Sequence, residues 1–175
     1  MSATINERTT LYRGKVFTLV SENITLANGV ITDMEFVQHP GATAIIPMLN
    51  DTRIILINQY RHSLRKFIWE IPAGTRDPNE SAITCAQREL IEETGYAAEK
   101  WQELGEITPV PGYSDERIRV FLATEMKTAA QNLDADEMLD VHELEFDEAI
   151  NMIRRGEIQD SKTIAGLFMA YNYLK

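Results

Sequence analysis

A single cysteine, Cys85, stands among 175 residues, so the chain cannot close an internal disulfide. No histidine or second cysteine lies near it, which argues against a zinc site; such a residue is expected to be small and buried. Nowhere does an apolar run approach the roughly 20 residues of a membrane span. The N-terminus, Met1-Ser-Ala-Thr-Ile-Asn-Glu-Arg8, lacks the charged-then-apolar pattern of a signal peptide, and the expected location is cytoplasmic. Basic residues are scarce beside acidic ones: 17 Lys and Arg against 27 Asp and Glu leave a net charge of −10. Clustered positive charge is what a nucleic acid backbone or an anionic membrane surface requires, so neither is expected as a partner. What remains, 44% hydrophobic and 25% charged, suits one compact domain over residues 1–175 with a real core.

What the chain does have is acid in one place. Arg88-Glu89-Leu90-Ile91-Glu92-Glu93 puts Glu89, Glu92 and Glu93 at i, i+3 and i+4 of a predicted helix, on one face. Three like charges this close repel, and Arg88 offsets only part of that. Alone, such a run also describes a solvated helix face. A hard cation would neutralise it, and oxygen-only ligands favour Mg²⁺, Mn²⁺ or Ca²⁺ over zinc.

The surrounding pattern predicts a mixed α/β chain. Residues 10–20 and 30–37 read as strands joined through an Asn28-Gly29 turn, an antiparallel N-terminal unit over about residues 1–38. Residues 43–48 and 53–58 flank Asn50-Asp51 as a hairpin, and their continuous apolar character predicts cover on both faces. A short strand at 67–71, with Trp69 in the core, leads into Pro72-Ala73-Gly74 and a loop through Pro78. A helix follows from about Ser81 to Thr94, with Ile83, Ala86, Leu90 and Thr94 on its less polar face and Gly95 as its left-handed cap. Strands are expected at 101–106, 118–124 and 141–146, an acidic loop at 132–138, and helices at 147–155 and 161–173. The last helix has Asp160 as its cap and Ile164, Leu167, Phe168 and Tyr171 turned inward.

The spacing of the acidic segment is specific. Gly74, Glu80, Arg88-Glu89-Leu90, Glu92-Glu93, Gly95 and the apolar Tyr96 fill nine fixed positions in 23 residues. This resembles the signature of the Nudix hydrolase family at each of them. Beyond it, Ile107-Thr-Pro-Val-Pro-Gly-Tyr-Ser-Asp-Glu116 is similar to a loop of the ADP-ribose pyrophosphatase subgroup, with Pro111 sixteen residues past Gly95. Asn58-Gln-Tyr-Arg-His62, Trp69-Glu-Ile-Pro-Ala-Gly74 and Asp134-Ala-Asp-Glu-Met138 resemble the same subgroup. One departure is Val110 before Pro111, where the subgroup often has serine.

The resemblance implies an α/β/α sandwich with a mixed sheet, and a catalytic core over about residues 39–175. It implies Mg²⁺-dependent hydrolysis, with Mn²⁺ able to substitute, of ADP-ribose to AMP and ribose 5-phosphate. Alternatives are the same chemistry on another nucleoside diphosphate sugar such as GDP-mannose, or a non-catalytic domain that senses nucleotide sugars. Glu89 and Glu93 are implied as metal ligands, with Glu92 sharing ions or holding water and the Ala73 carbonyl completing the sphere. Gly74, Glu80, Arg88 and Gly95 are implied as scaffold. The general base falls on Glu137, with Asp136 and Asp134 as competitors. Arg61 is expected on a phosphate, or else on the surface. Pro111 and Gly112 are expected beside the terminal ribose, and Glu116 near metal or substrate. Tyr113 and Tyr12 either stack on adenine or pack. The N-terminal strands are expected to build a homodimer.

Overall fold

The computed structural model describes residues 2–135 and 137–175 and has ten strands and three helices. It divides into two units. The first comprises Met1–Gly41 and Thr108–Arg117, so the proline-containing loop belongs with the N-terminal strands and not with the remainder of the core.

In the first unit, β1 (Thr4–Arg13), β2 (Thr18–Thr25) and β3 (Ile31–Gln38) form an antiparallel sheet in that order. The single strand expected over residues 10–20 is in fact broken. Gly14 turns the chain, its N–H donating to the Phe17 carbonyl at 2.9 Å, and the β-branched residues on each side belong to two strands. The Asn28-Gly29 turn is present: Gly29 has φ of +85°, and Val30 N–H donates to Asn28 Oδ1. Every residue of β1 is exposed. The Thr108–Arg117 segment docks on β3, with Val37 N–H donating to the Tyr113 carbonyl and His39 N–H to Asp115 Oδ1 at 2.8 Å.

The second unit holds the core. Strands β4 (Ala42–Pro47), β7 (Ala73–Thr75), β8 (Tyr96–Ile107) and β9 (Ile118–Thr128) form a mixed sheet ordered β7-β4-β9-β8, in which β4 and β9 run parallel. A second sheet runs β10-β5-β6, with β5 spanning Arg53–Arg61, β6 Lys66–Glu70 and β10 Leu139–Glu145. The expected β4–β5 hairpin is therefore a correction. Asn50 Oδ1 does accept from the N–H groups of Thr52 and Arg53, but beyond the Met48–Ile54 bridge the two strands leave for different sheets. Local turn chemistry cannot reveal that β4 has better partners in β7 and β9.

All six residues of β4 are buried, and they alternate between two apolar layers. Ala42, Ala44 and Ile46 pack with residues of α2 (Phe146–Arg154) and α3 (Ser161–Leu174), while Ile45 packs with Ala86 and Leu90 of α1 (Ala82–Thr94). Helices thus cover both sheet faces, the reason the strand has no polar alternation. Helix α3 buries Thr163, Gly166, Leu167 and Ala170, whereas Phe168, expected inward, is 43% exposed. Gly166 explains the rotation: a Cβ there would stand 2.9 Å from Ile71 and 3.1 Å from Ile46, so the helix approaches the sheet along its smallest residues. Cys85 is buried, and Trp69 is partly buried against the main core. Among the described residues, no helix is long and apolar enough to cross a membrane.

Candidate active site

Helix α1 is set rigidly at both ends. Ser81 Oγ accepts from Thr84 N–H, and Gly95 closes the C-terminus at φ of +71°, its N–H bonded to the Ile91 carbonyl. Between these caps the apolar residues Ala86 and Leu90 face the sheet. Because Glu89 and Glu93 follow at helical spacing, the same packing carries them inward too. Glu89 is 8% exposed and Glu93 only 1%.

Two backbone devices receive those carboxylates. Ala73 N–H donates to Glu93 Oε2 at 2.9 Å. At Gly74 the Glu89 carboxylate occupies the space a side chain would need, since a Cβ would lie 1.8 Å from its Oε1. The three-residue strand β7, in a stretch expected to lead into a loop, is what brings this backbone against α1 by pairing Gly74 with Thr43 and Ala73 with Ala44. Beneath it, Thr43 Oγ1 donates to Cys85 Sγ.

Arg88 gathers the remaining charge. Its Nε and Nη2 donate to the two oxygens of Glu80, both at 3.0 Å, and its Nη1 donates to Glu89 Oε1 at 2.7 Å and Glu92 Oε2 at 2.9 Å. One cation therefore serves three carboxylates, and among the described residues Glu93 has no side chain of opposite charge bonded to it. The consequences differ by residue. Hydrogen bonds from Arg88 hold the Glu80 carboxyl down to about 2. Burial pushes Glu89 up to about 7 against the pull of Arg88, with Glu92 and Glu137 adding to the rise. Glu93 is raised well above the usual carboxylate range, first by burial, then by the charge of Glu89.

The acidic loop converges on the same place. Glu137 is half-buried, and its Oε2 accepts from Asp134 N–H while its own N–H donates to the Asp134 carbonyl. Its charge bears on both Glu89 and Glu93. The loop is tethered to the end of α1, where Asn132 N–H donates to the Glu92 carbonyl and Gln131 Nε2 to the Glu93 carbonyl. Asp134 is exposed, and Asp136 lies outside the described residues.

Arg61 is not a loose surface arginine. Its Nε and Nη2 donate to Glu70 Oε1 and Oε2 at 2.6 and 2.8 Å, a bidentate fork. Lys162 and Asp160 of the α3 N-terminus complete the network, Lys162 bonding to both Glu70 and Asp160. Burial tends to raise Glu70, but Arg61 and Lys162 together keep it below its ordinary value. Arg61 also feels the charge of Glu93. Asp160 caps α3 as expected, accepting from Thr163 N–H at 2.9 Å, but sequence reasoning missed Glu70, Lys162 and the network that joins them. A glutamate inside the apolar run Phe67-Ile-Trp-Glu-Ile71 was the available signal, because a buried charge demands a partner. Pro111, Gly112, Tyr113 and Glu116, together with Tyr12, belong to the first unit. There His39 Nδ1 lies 3.8 Å from Glu116 Oε1, and Tyr12 and Tyr113 are both exposed.

Buried carboxylates with raised affinity for protons, oxygen-only donors and a backbone cleared by glycine fit a hard divalent cation. Among the described residues, no group of three or more His, Cys, Asp or Glu is already drawn together as a metal cage. Arg88 is bonded to two of the carboxylates instead.

A family model described as the NUDIX domain matches residues 38–167, and the chain belongs to the Nudix hydrolase family. Members of that family generally depend on a divalent metal. Over 167 residues the chain is 40% identical to a methanol dehydrogenase activator of Bacillus methanolicus, covering 94% of this chain and 88% of that one. It is 37% identical over 155 residues to an ADP-ribose pyrophosphatase of Bacillus subtilis, covering 87% and 84%. A GDP-mannose pyrophosphatase of Salmonella typhimurium is 32% identical over 194 aligned positions, covering 100% and 97%. A crystal structure of an ADP compounds hydrolase superposes with a TM-score of 0.87 at 23% identity, over 99% of this chain and 95% of that one, and shows the shared fold.

The Arg88–Glu80 pair yields a pH prediction. A carboxyl held at about 2 in the fold and near 4.3 when unfolded stabilises the protein above about pH 4, and that contribution is lost as pH falls toward 2. Glu80→Gln is expected to cost about 1–3 kcal/mol at pH 7 in urea unfolding, with the deficit shrinking between about pH 4 and 2. A deficit independent of pH would mean that Glu80 does not act through its charge.

Proposed function

We propose that this protein hydrolyses the pyrophosphate bond of ADP-ribose, yielding AMP and ribose 5-phosphate, with Mg²⁺ as cofactor and Mn²⁺ as substitute. The observation that carries this reading is the pair of buried carboxylates, Glu89 and Glu93, with Glu137 of the acidic loop charged beside them. The likeness to an ADP-ribose pyrophosphatase over most of the chain supports the substrate.

In this reading Glu89 and Glu93 hold the cation, Glu92 shares it or holds water, and the Ala73 carbonyl supplies a further oxygen. The bound ion supplies neutralisation of phosphate oxygens and acidification of the attacking water. Ala73 N–H fixes Glu93, and Gly74 leaves room for Glu89, so both ligands are oriented before substrate arrives. Glu137 takes the proton of the attacking water. It suits that role because Glu89, Glu92 and Glu93 are committed to metal in this reading, and a loop residue can close over substrate. Glu70 sets the plane of the Arg61 guanidinium, leaving the nitrogen that Glu70 does not engage, Nη1, for a phosphate oxygen. The assignment of Pro111, Gly112 and Glu116 to substrate rests on the resemblance of their loop. A GDP-mannose-type substrate is the second reading, supported by the likeness to a GDP-mannose pyrophosphatase over the whole chain, and Val110 before the proline leaves the sugar preference open.

A substrate panel with and without Mg²⁺, followed by product analysis, tests the function. ADP-ribose should turn over faster than GDP-mannose, NAD or ATP, and only with metal. Glu89→Gln should lower kcat more than about a hundredfold, near 3 kcal/mol of barrier. Glu137→Gln should lower kcat strongly while KM for ADP-ribose stays within a few fold. Metal-independent turnover, or a near-normal Glu89→Gln enzyme, would sink the site assignment. A higher kcat/KM for GDP-mannose would replace the substrate and keep the chemistry.

The protein is further proposed to be a cytoplasmic homodimer. Strand β1 is exposed along its full length, and the apolar Ile5, Leu11 and Tyr12 of β1 and Ile31 and Met34 of β3 are exposed on the same sheet. An isologous contact between two copies would cover it. Sedimentation at micromolar concentration should give twice the chain mass of 19.9 kDa. A monomer would contradict this assembly.

A further inference from the structure

Gln59 lies on β5 and is only 5% exposed, yet its Oε1 has no hydrogen-bond partner, alone among buried side-chain oxygens and nitrogens of the described residues. Buried polar groups in folded proteins are nearly always paired, so an orphan acceptor calls for a reason. Its neighbours along the strand, Ile55 and Ile57, are fully buried and apolar, and an apolar residue would have continued the pattern.

The position of Gln59 supplies the reason. Side chains alternate along a strand, so Gln59 shares a face with Ile57 and Arg61. Arg61, two residues on, feels the charge of Glu93. Across the strand, Gln59 is in register with Leu139, and Tyr60 N–H donates to the Met138 carbonyl. Glu137, whose charge reaches Glu89 and Glu93, immediately precedes Met138. Gln59 is therefore one alternate position along the strand from Arg61, and its cross-strand partner Leu139 stands two residues past Glu137.

We propose that Gln59 is a positioning residue of this site, its buried amide oxygen accepting a hydrogen bond from an O–H group of the reacting complex, on the substrate or on the attacking water. The inference rests on the hydrolase reading. The carboxylates are acceptors, and the one Arg61 nitrogen that Glu70 leaves unengaged, Nη1, serves a phosphate oxygen in the hydrolase reading. A diphosphate also offers acceptors only. The donor beside it is either the attacking water or a ribose hydroxyl.

Gln59→Met, similar in length but without the acceptor, tests this. No protein hydrogen bond to the oxygen is lost, so the thermal midpoint should equal or exceed that of the parent. The value of kcat/KM for ADP-ribose with Mg²⁺ should nevertheless fall by at least about tenfold. A fall in kcat, with KM and the calorimetric Kd for ADP-ribose unchanged, assigns the oxygen to the attacking water. A rise in KM and Kd with kcat retained assigns it to the ribose hydroxyl. Turnover within twofold of the parent, or a thermal midpoint several degrees lower, overturns the inference while leaving the hydrolase reading intact. A parent protein that cleaves no nucleoside diphosphate sugar overturns both.

Discussion

Burial of negative charge without matching positive charge governs this structure. Glu89 and Glu93 are carried under the surface by the packing of Ala86 and Leu90, and a single arginine answers for three carboxylates around it. Ionised carboxylates in such a setting are costly, and a fold tolerates them only when something else supports the helix that bears them. Here that support is ample. A side-chain cap and a glycine cap fix the two ends of α1, and sheet residues on both sides of β4 anchor the layers. The rigid frame holds in place a charge cluster that would otherwise push itself apart.

The second charge network shows the contrasting solution. Glu70 is buried as deeply as Glu93, yet Arg61 grips it with two hydrogen bonds and Lys162 adds a third contact. Its carboxyl is held below its ordinary value, while that of Glu93 is raised. Two glutamates of equal burial thus reach opposite states because cations are bonded to one, whereas a backbone N–H only partly offsets the burial of the other and the charge of Glu89 beside it. The paired one orders Arg61 and joins β5, β6 and α3; the other has no cationic side chain bonded to it among the described residues.

Local signals made part of this legible in the sequence. Helix α1 with its Gly95 cap, the Asn28-Gly29 turn and the existence of strands β8 and β9 follow from residue periodicity and turn chemistry. The carboxylate face and its glycine partner follow from fixed spacing. Long-range choices were not legible. Nothing near Asn50 says that β4 pairs with β9, more than 70 residues away, and nothing in Ala73-Gly74-Thr75 marks a strand until β4 stands beside it. The inward turn of Phe168 failed because Gly166, a small residue with no hydrophobic weight, decides which side of α3 meets the sheet. The Glu70 network was missed because its members lie on β5, β6 and the start of α3, apart in sequence.

The central claim, that this buried charge is a cation site, is tested most directly by Mn²⁺ binding followed by electron paramagnetic resonance at neutral pH, with no substrate present. The parent protein should bind Mn²⁺, and Glu93→Gln should lose most of that affinity while remaining folded by circular dichroism. Absence of binding in the parent, or equal binding in Glu93→Gln, would contradict the account.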